Sequence, residues 1–167
     1  MHGTEPYCWG GLYPARNAFA RQGWDLELDI VNMYLDMPGC PAVFDPGASD
    51  AELVESDAAE DELTISGLYR VMRGGTALVT SGYIFLKEIS AHLGRGVGQL
   101  WIHSLEEVHG QGFGRQAITA VHKKLYELGA RKIILATNNA LFRAIKFYQS
   151  LGYQHELIHA YIYMKEL

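Results

Sequence analysis

In the segment RQAITAVHKKLYELG, Ile118, Val121, Leu125 and Leu128 recur at spacings of three and four. One apolar stripe of that period predicts a helix, with Gly129 as its stop. The next run, KIILAT at 132–137, is short and rich in isoleucine, as expected of a strand covered on both faces. NNALFRAIKFYQSLG carries a second helical stripe through Leu141, Ala144, Ile145, Tyr148 and Leu151, with Asn138 or Asn139 as the expected N-cap and Gly152 as the stop. Finally, YQHELIHAYIYMKEL alternates Ile158, Ala160, Ile162 and Met164 against His159, Tyr161 and Tyr163, the period of a strand. The C-terminal half therefore predicts helix, strand, helix, strand.

Upstream, LTISGLYRVMR (63–73) reads as a strand, and Gly74-Gly75 predicts a tight hairpin into TALVT. That second strand is expected to continue through YIFLKEI, with Gly82 as a bulge or bend. After a loop, SAHLGRG, the run VGQLWIHSL (97–105) predicts another strand that leads straight into HGQGFG at 109–114. The fold class expected is α/β, a mixed central sheet with an antiparallel meander followed by helix-strand-helix-strand. Residues 41–62 read as an acidic linker or at most a short helix around ASDAELVESDAAE.

Composition narrows the class. A chain of 167 residues, 49% hydrophobic and 20% charged, can bury one substantial core. No run approaches the roughly 20 apolar residues of a membrane span, and MHGTEPYCWG lacks the regions of a secretory signal. A cytoplasmic protein without a membrane partner is expected. Cys8 and Cys40 fit neither a disulfide framework nor a metal spacing, so both are expected reduced and no metal is called for. A net charge of −5 argues against nucleic acid as the main partner. The charge is unevenly spread: 49–65 hold Asp50, Glu52, Glu55, Asp57, Glu60, Asp61 and Glu62 without one Lys or Arg, whereas 110–167 hold eight Lys/Arg against three Glu.

The chemistry concentrates in the glycine loop. A strand, a glycine-rich loop and a helix in succession aim several backbone N–H groups at one point, where the helix dipole also favours negative charge. Glycines let the backbone reach φ > 0 and approach a bulky anion, so a phosphate or pyrophosphate is the expected guest. HGQGFG is neither the dinucleotide fingerprint nor the P-loop, since no Gly-Lys-Ser/Thr follows.

The stretch LWIHSLEEVHGQGFGRQAI, followed by GARKIILATNNALFRAIKFYQSLGY, resembles the two central motifs of the GNAT superfamily of acyl-CoA-dependent N-acyltransferases. The resemblance implies the GNAT acyl-CoA N-acyltransferase fold over 63–167 and acetyl-CoA as cosubstrate. It implies that His109, Gly110, Gln111, Gly112, Phe113 and Gly114 hold the CoA pyrophosphate through main-chain amides. Tyr148 falls at the tyrosine of the family's fourth helix, near the thioester sulfur. Backbone N–H groups around Ser104 and Leu105 would polarise the thioester carbonyl. Two positions depart from the pattern. His109 replaces the usual Arg or Gln with a group of reference pKa near 6.5, with Gln111 and Arg115 available to compensate. Leu141 stands seven residues before the tyrosine, where many members carry a pantetheine-contacting asparagine; Asn138 and Asn139 lie nearby.

Acyl transfer to an amine needs the amine neutral, yet an alkylamine of pKa about 10.4 is neutral only on the order of one part in a thousand at pH 7. A general base is therefore expected, with Glu106, Glu107 and His103 the candidates at the end of the strand. Expulsion of the thiolate calls for an acid, and Tyr148 suits that role. The reaction implied is transfer of an acetyl group from CoA to a primary amine of a small molecule or protein. A non-catalytic acyl-CoA-binding or regulatory module is the alternative.

The N-terminal segment ARNAFARQGWDLELDIVNMYLDM resembles AIKFYQSLGYQHELIHAYIYMKEL, with Phe19 matching Tyr148, Gly23 matching Gly152, Trp24 matching Tyr153 and Tyr34 matching Tyr163. Residues 1–40 thus read as a helix-strand segment duplicating the terminal GNAT elements. A standard member has two helices between its first two strands, and 38–62 leave little room for them. The acceptor wall is expected to be reduced, rebuilt by 1–37 or supplied by another subunit, and the last of these makes a homodimer a reasonable hypothesis.

Overall fold

The meander forms where the sequence places it. In a computed structural model, which describes residues 7–9, 21, 25–47 and 50–164, the chain divides into a central unit, residues 36–134, and a terminal unit, residues 1–35 with 135–167. In the central unit β4 (Thr64–Arg73) and β5 (Thr76–Leu86) make the hairpin around Gly74 and Gly75, at φ 55° and 81°. Strand β6 (Gly96–Ser104) pairs antiparallel with β5, and β7 (Ala130–Asn138) begins parallel to β6. Between them runs the helix α2 (Phe113–Glu127), preceded in the chain by the short helix α1 (Lys87–Leu93).

The core lies between α2 and the sheet. Ala117, Ile118, Val121 and Leu125 are buried, together with Val71, Val79, Tyr83, Leu100 and Ile133. Two glycines are required by this packing. A Cβ at Gly98 would lie 2.7 Å from a Leu125 methyl, and one at Gly67 would lie 2.6 Å from the Tyr83 hydroxyl. Both distances are shorter than any carbon contact the packed interior tolerates.

Three expectations are corrected here. The acidic stretch is neither linker nor helix: Glu52–Glu60 is strand β3, paired antiparallel with β4, and it ends the strand order β7-β6-β5-β4-β3. Its carboxylates explain why its pattern looked unstructured, because charge on an edge strand deters pairing with a further chain. The strand is fixed through Glu55, whose carboxylate accepts from the Tyr69 and Tyr83 hydroxyls at 3.0 Å each and pairs with Lys124 of α2 at 2.9 Å. Burial raises the Glu55 pKa, but the bonds from Lys124, Tyr83 and Tyr69 outweigh it and hold it below the usual value. Burial, and then the Glu55 bond, push the Tyr83 phenol up to about 12.

Second, β5 stops at Leu86 rather than running through Ile89. Its partner β4 begins at Thr64, opposite Leu86, so the ladder ends there, and the chain turns into α1, closed by Gly94 in the left-handed region. Third, Gly82 is no bulge. It pairs in register with Leu68 and Trp101, and the Trp101 indole occupies the space its Cβ would need.

In the terminal unit the strand order is β1 (Tyr7–Trp9), β8 (Gln154–Met164), β2 (Asp25–Asp36), then the end of β7. Helix α3 (Phe142–Ser150) follows β7 and stops before Gly152, at φ 92°. Strands β2 and β8, which resemble each other in sequence, are antiparallel partners, with Asp25 opposite Met164 and Tyr34 opposite Gln154. The helix expected before Gly23, with Phe19 and Trp24, lies outside the described residues.

Candidate functional site

The glycine loop is pinned at both ends by buried side chains. After β6 the chain makes a 3-10 turn, Glu106–Val108, in which Val108 is 6% exposed. Five residues later Phe113, 3% exposed, opens α2. Val108 and Phe113 share one apolar cluster with Val71, Leu78, Val79 and Ala117, and the Arg73 guanidinium lies 5.3 Å from the Phe113 ring centre. Phe113, expected at the cofactor, thus spends its side chain in the core and has only its backbone to offer. The residues between the two anchors, His109 to Gly112, arch outward.

That arch needs its glycines. Gly110 and Gly112 sit at φ 82° and 89°, where an L side chain is strained. A Cβ at Gly110 would meet no atom within 4 Å, so the loop leaves open space at that point. Gly112 is the N-cap of α2, and the Gln116 N–H closes the first turn on the Gly112 carbonyl at 3.0 Å. The N–H groups of Phe113 and Gly114 precede that bond, in the turn where a helix supplies no acceptor of its own. They present the positive end of a 15-residue helix.

Side chains brace the arch. The Ser104 hydroxyl and His109 Nε2 are hydrogen-bonded at 2.9 Å, and Gln111 Nε2 donates to the Glu107 carbonyl at 2.9 Å. Leu105 donates its N–H to the Leu78 carbonyl at 3.0 Å, so that amide is engaged within the fold. Glu106, Glu107 and His103 are all exposed. The structure therefore gathers Ser104, Leu105, Glu106, Glu107, His109 to Gly114 and Arg115 on one strand-loop-helix unit.

Tyr148, Asn138 and Asn139 belong to the terminal unit. Tyr148 is 6% exposed, with the Phe147 and Tyr153 rings each 5.7 Å away, and burial raises its pKa above the ordinary phenol value. Neither asparagine is the N-cap of α3, a correction to the expected cap. That position is Leu141, because Asn138 instead closes the preceding turn, its Oδ1 accepting the Ala140 N–H at 2.8 Å and its carbonyl the Leu141 N–H at 2.9 Å. Asn139 donates its N–H to the Asp29 carbonyl at 2.7 Å and its Nδ2 to the Asp29 carboxylate at 3.1 Å.

Phe44 escaped the sequence reading. Its ring lies against Gly112 and its N–H donates to Thr119 Oγ1 at 2.8 Å. No periodicity links positions 75 apart, and no motif marks the segment. Among the described residues no group of three or more His, Cys, Asp or Glu is arranged to hold a metal ion, and no helix is long and apolar enough to cross a membrane.

Residues 64–155 match the family model of the GNAT acetyltransferase domain. No curated protein sequence matches the chain. Among solved structures, a protein assigned to the GNAT acetyltransferases from Novosphingobium aromaticivorans is similar at TM-score 0.61 and 16% identity, over 100% of this chain and 77% of that one. A GCN5-related N-acetyltransferase from Kribbella flavida is similar at 0.62 and 14% identity, over 95% of this chain and 65% of that one. Another from Sphaerobacter thermophilus is similar at 0.59 and 12% identity, over 96% of this chain and 59% of that one. These likenesses are of fold.

Proposed function

Because the chain belongs to the GNAT acetyltransferase family, we propose that it is an acetyl-CoA-dependent N-acetyltransferase whose acceptor is a primary amine of a small molecule or protein. The observation that carries the reading is the arch from His109 to Gly112, with two glycines at positive φ and the first amides of α2 behind it. Its open space at Gly110 and its clustered N–H donors fit a pyrophosphate. Bound acetyl-CoA would supply the activated acyl group as a thioester.

The chain's own groups then take separate roles. The amides of Gly110, Gly112, Phe113 and Gly114 bind the pyrophosphate, the Gln111 N–H being held by the Val108 carbonyl at 3.3 Å, and His109, braced by Ser104, and Arg115 add donors. Tyr148 is the acid. Burial disfavours its phenolate, so the side chain keeps its proton at neutral pH and has it available for a departing thiolate. Glu106, Glu107 or His103, all facing water, takes the amine proton.

Thermal unfolding with acetyl-CoA, CoA and ATP, followed by thiol release with a panel of amines, tests this. Ligand at about 100 times its dissociation constant stabilises a fold by roughly 2.7 kcal/mol. Acetyl-CoA and CoA are expected to raise Tm while ATP does not. Thiol release is expected to require an amine and to fall about 100-fold or more in Tyr148→Phe. Stabilisation without thiol release would instead support a non-catalytic acyl-CoA-binding module. That reading is favoured by Leu141, 55% exposed where many relatives carry a pantetheine contact. A shift with ATP alone would end both.

A further inference from the structure

The segment from Met37 to Gly47 lies between β2 and β3 in the chain, where little room for helices was expected, and it is fastened to the rest of the central unit at defined points. The Met37 N–H donates to the Arg131 carbonyl at 2.9 Å. The Phe44 N–H donates to Thr119 Oγ1 at 2.8 Å, and the same hydroxyl donates to the Arg115 carbonyl at 2.8 Å. One threonine on α2 thus joins the segment to the backbone of Arg115. The contact continues through side chains. The Arg115 guanidinium carbon lies 5.5 Å from the Phe44 ring centre. A Cβ at Gly112 would come within 3.1 Å of the Phe44 ring and 3.2 Å of Pro46, so the ring also backs the N-cap of α2.

Arg115 is the first cation after the glycine loop and lies in the first turn of α2. A free arginine loses much rotamer freedom when it engages an anion. One whose planar head already rests on an aromatic face is partly ordered in advance, and the ring attracts its charge. The structure assigns to Phe44 the role of a positioning residue: we propose that its ring holds Arg115 toward the phosphate end of the acyl-CoA ligand while backing Gly112. This rests on the acetyl-CoA reading above. The ring acts through Arg115, and the group recognised is the anionic phosphate.

The test is the dissociation constant of CoA, by calorimetry, for wild type, Phe44→Leu, Phe44→Ala, Arg115→Ala and the double variant Phe44→Ala/Arg115→Ala. Arg115→Ala is expected to weaken CoA about tenfold, the worth of a charge-assisted contact. Phe44→Leu keeps apolar bulk against Gly112 but removes the π face, and is expected to weaken CoA about threefold. The double variant is expected to bind no more weakly than Arg115→Ala alone, a coupling that a purely structural role for Phe44 would not produce. Circular dichroism and Tm confirm folding, and Phe44→Leu carries the test if Phe44→Ala unfolds. Wild-type CoA binding that the Phe44 variants leave unchanged, or effects of Phe44 and Arg115 that simply add, would overturn the inference while sparing the function. A wild type that binds no CoA would overturn both.

Discussion

Helices α2 and α3 each follow a strand and a short turn, yet the turns that lead into them are built differently. Before α2 the chain uses glycines at φ 82° and 89° and enters the helix through Gly112. Before α3 the side chain and carbonyl of Asn138 take the Ala140 and Leu141 N–H groups, and the Leu141 carbonyl takes the Ile145 N–H at 3.1 Å. The first bond of each helix is alike, Gln116 to Gly112 and Ile145 to Leu141; the difference lies just before it, where the arch leaves open space at Gly110 and the other turn uses the Ala140 and Leu141 N–H groups on Asn138. It also exposes Leu141 (55%) and Phe142 (70%), apolar surface that does nothing for a phosphate. A glycine-opened start is fitted to bind, and an asparagine-closed start to hold itself.

The sharpest way to break the contrast is to close the first start. Gly112→Val places a β-branched residue at positive φ, with its Cβ at 3.1 Å from Phe44 and 3.2 Å from Pro46. Left-handed strain and overpacking together are expected to cost on the order of 3 kcal/mol. Chemical unfolding measures that loss, and the stabilisation by acetyl-CoA should disappear with it. A variant that is destabilised but still stabilised normally by acetyl-CoA would show that the arch is not the ligand site.

The loop was legible because its signal is local: three glycines in six positions, between a strand and a helix, can be read without the rest of the fold. The stripe Ile118, Val121, Leu125 was legible for the same reason, and all three residues are buried. Strand β3 was not, because its order comes from non-local partners. Glu55 is held by Tyr69, Tyr83 and Lys124, residues 14 to 69 positions away, and an edge strand rich in acid carries no alternating apolar pattern. Phe44 was missed for the same cause. Its meaning depends on Thr119 and Arg115. The turn before α3 misled differently. Asparagine serves both as an N-cap and as a turn former, and only the observed bonds to Ala140 and Leu141 decide between them.

The two helices also differ in what titrates beneath them, which gives a second, smaller test. On α2, His122 is 3% exposed, and burial pulls its pKa down to about 4. An unfolded chain, with His near 6.5, binds this proton first as pH falls, so the stabilising effect is complete above about 6.5 and is lost as pH drops toward 4. At pH 5 the loss is expected to be about 2 kcal/mol, and His122→Leu should flatten that part of the profile. Around α3, burial raises Tyr148 and Tyr153 instead. Their folded state keeps the proton longer than the unfolded one, so their contribution is intact below pH about 10 and declines above it. Stability measured against pH in wild type and His122→Leu separates the two, and an unchanged acid limb in the variant would remove His122 as the cause.

The smallest expected effect is the most selective. Asn138→Ala deletes the Oδ1 that accepts the Ala140 N–H at 2.8 Å and leaves the glycine loop untouched in sequence. Loss of a turn-closing side chain of this kind costs about 1 kcal/mol, read as a lower urea midpoint with unchanged slope. If the start of α3 only holds itself, acetyl-CoA affinity should stay within about twofold of wild type once binding is compared under conditions where both proteins are fully folded. An affinity loss of about tenfold would mean that Asn138 contacts the ligand, as the family resemblance first suggested. The contrast between the two helix starts would then fail, because the closed one would be binding as well.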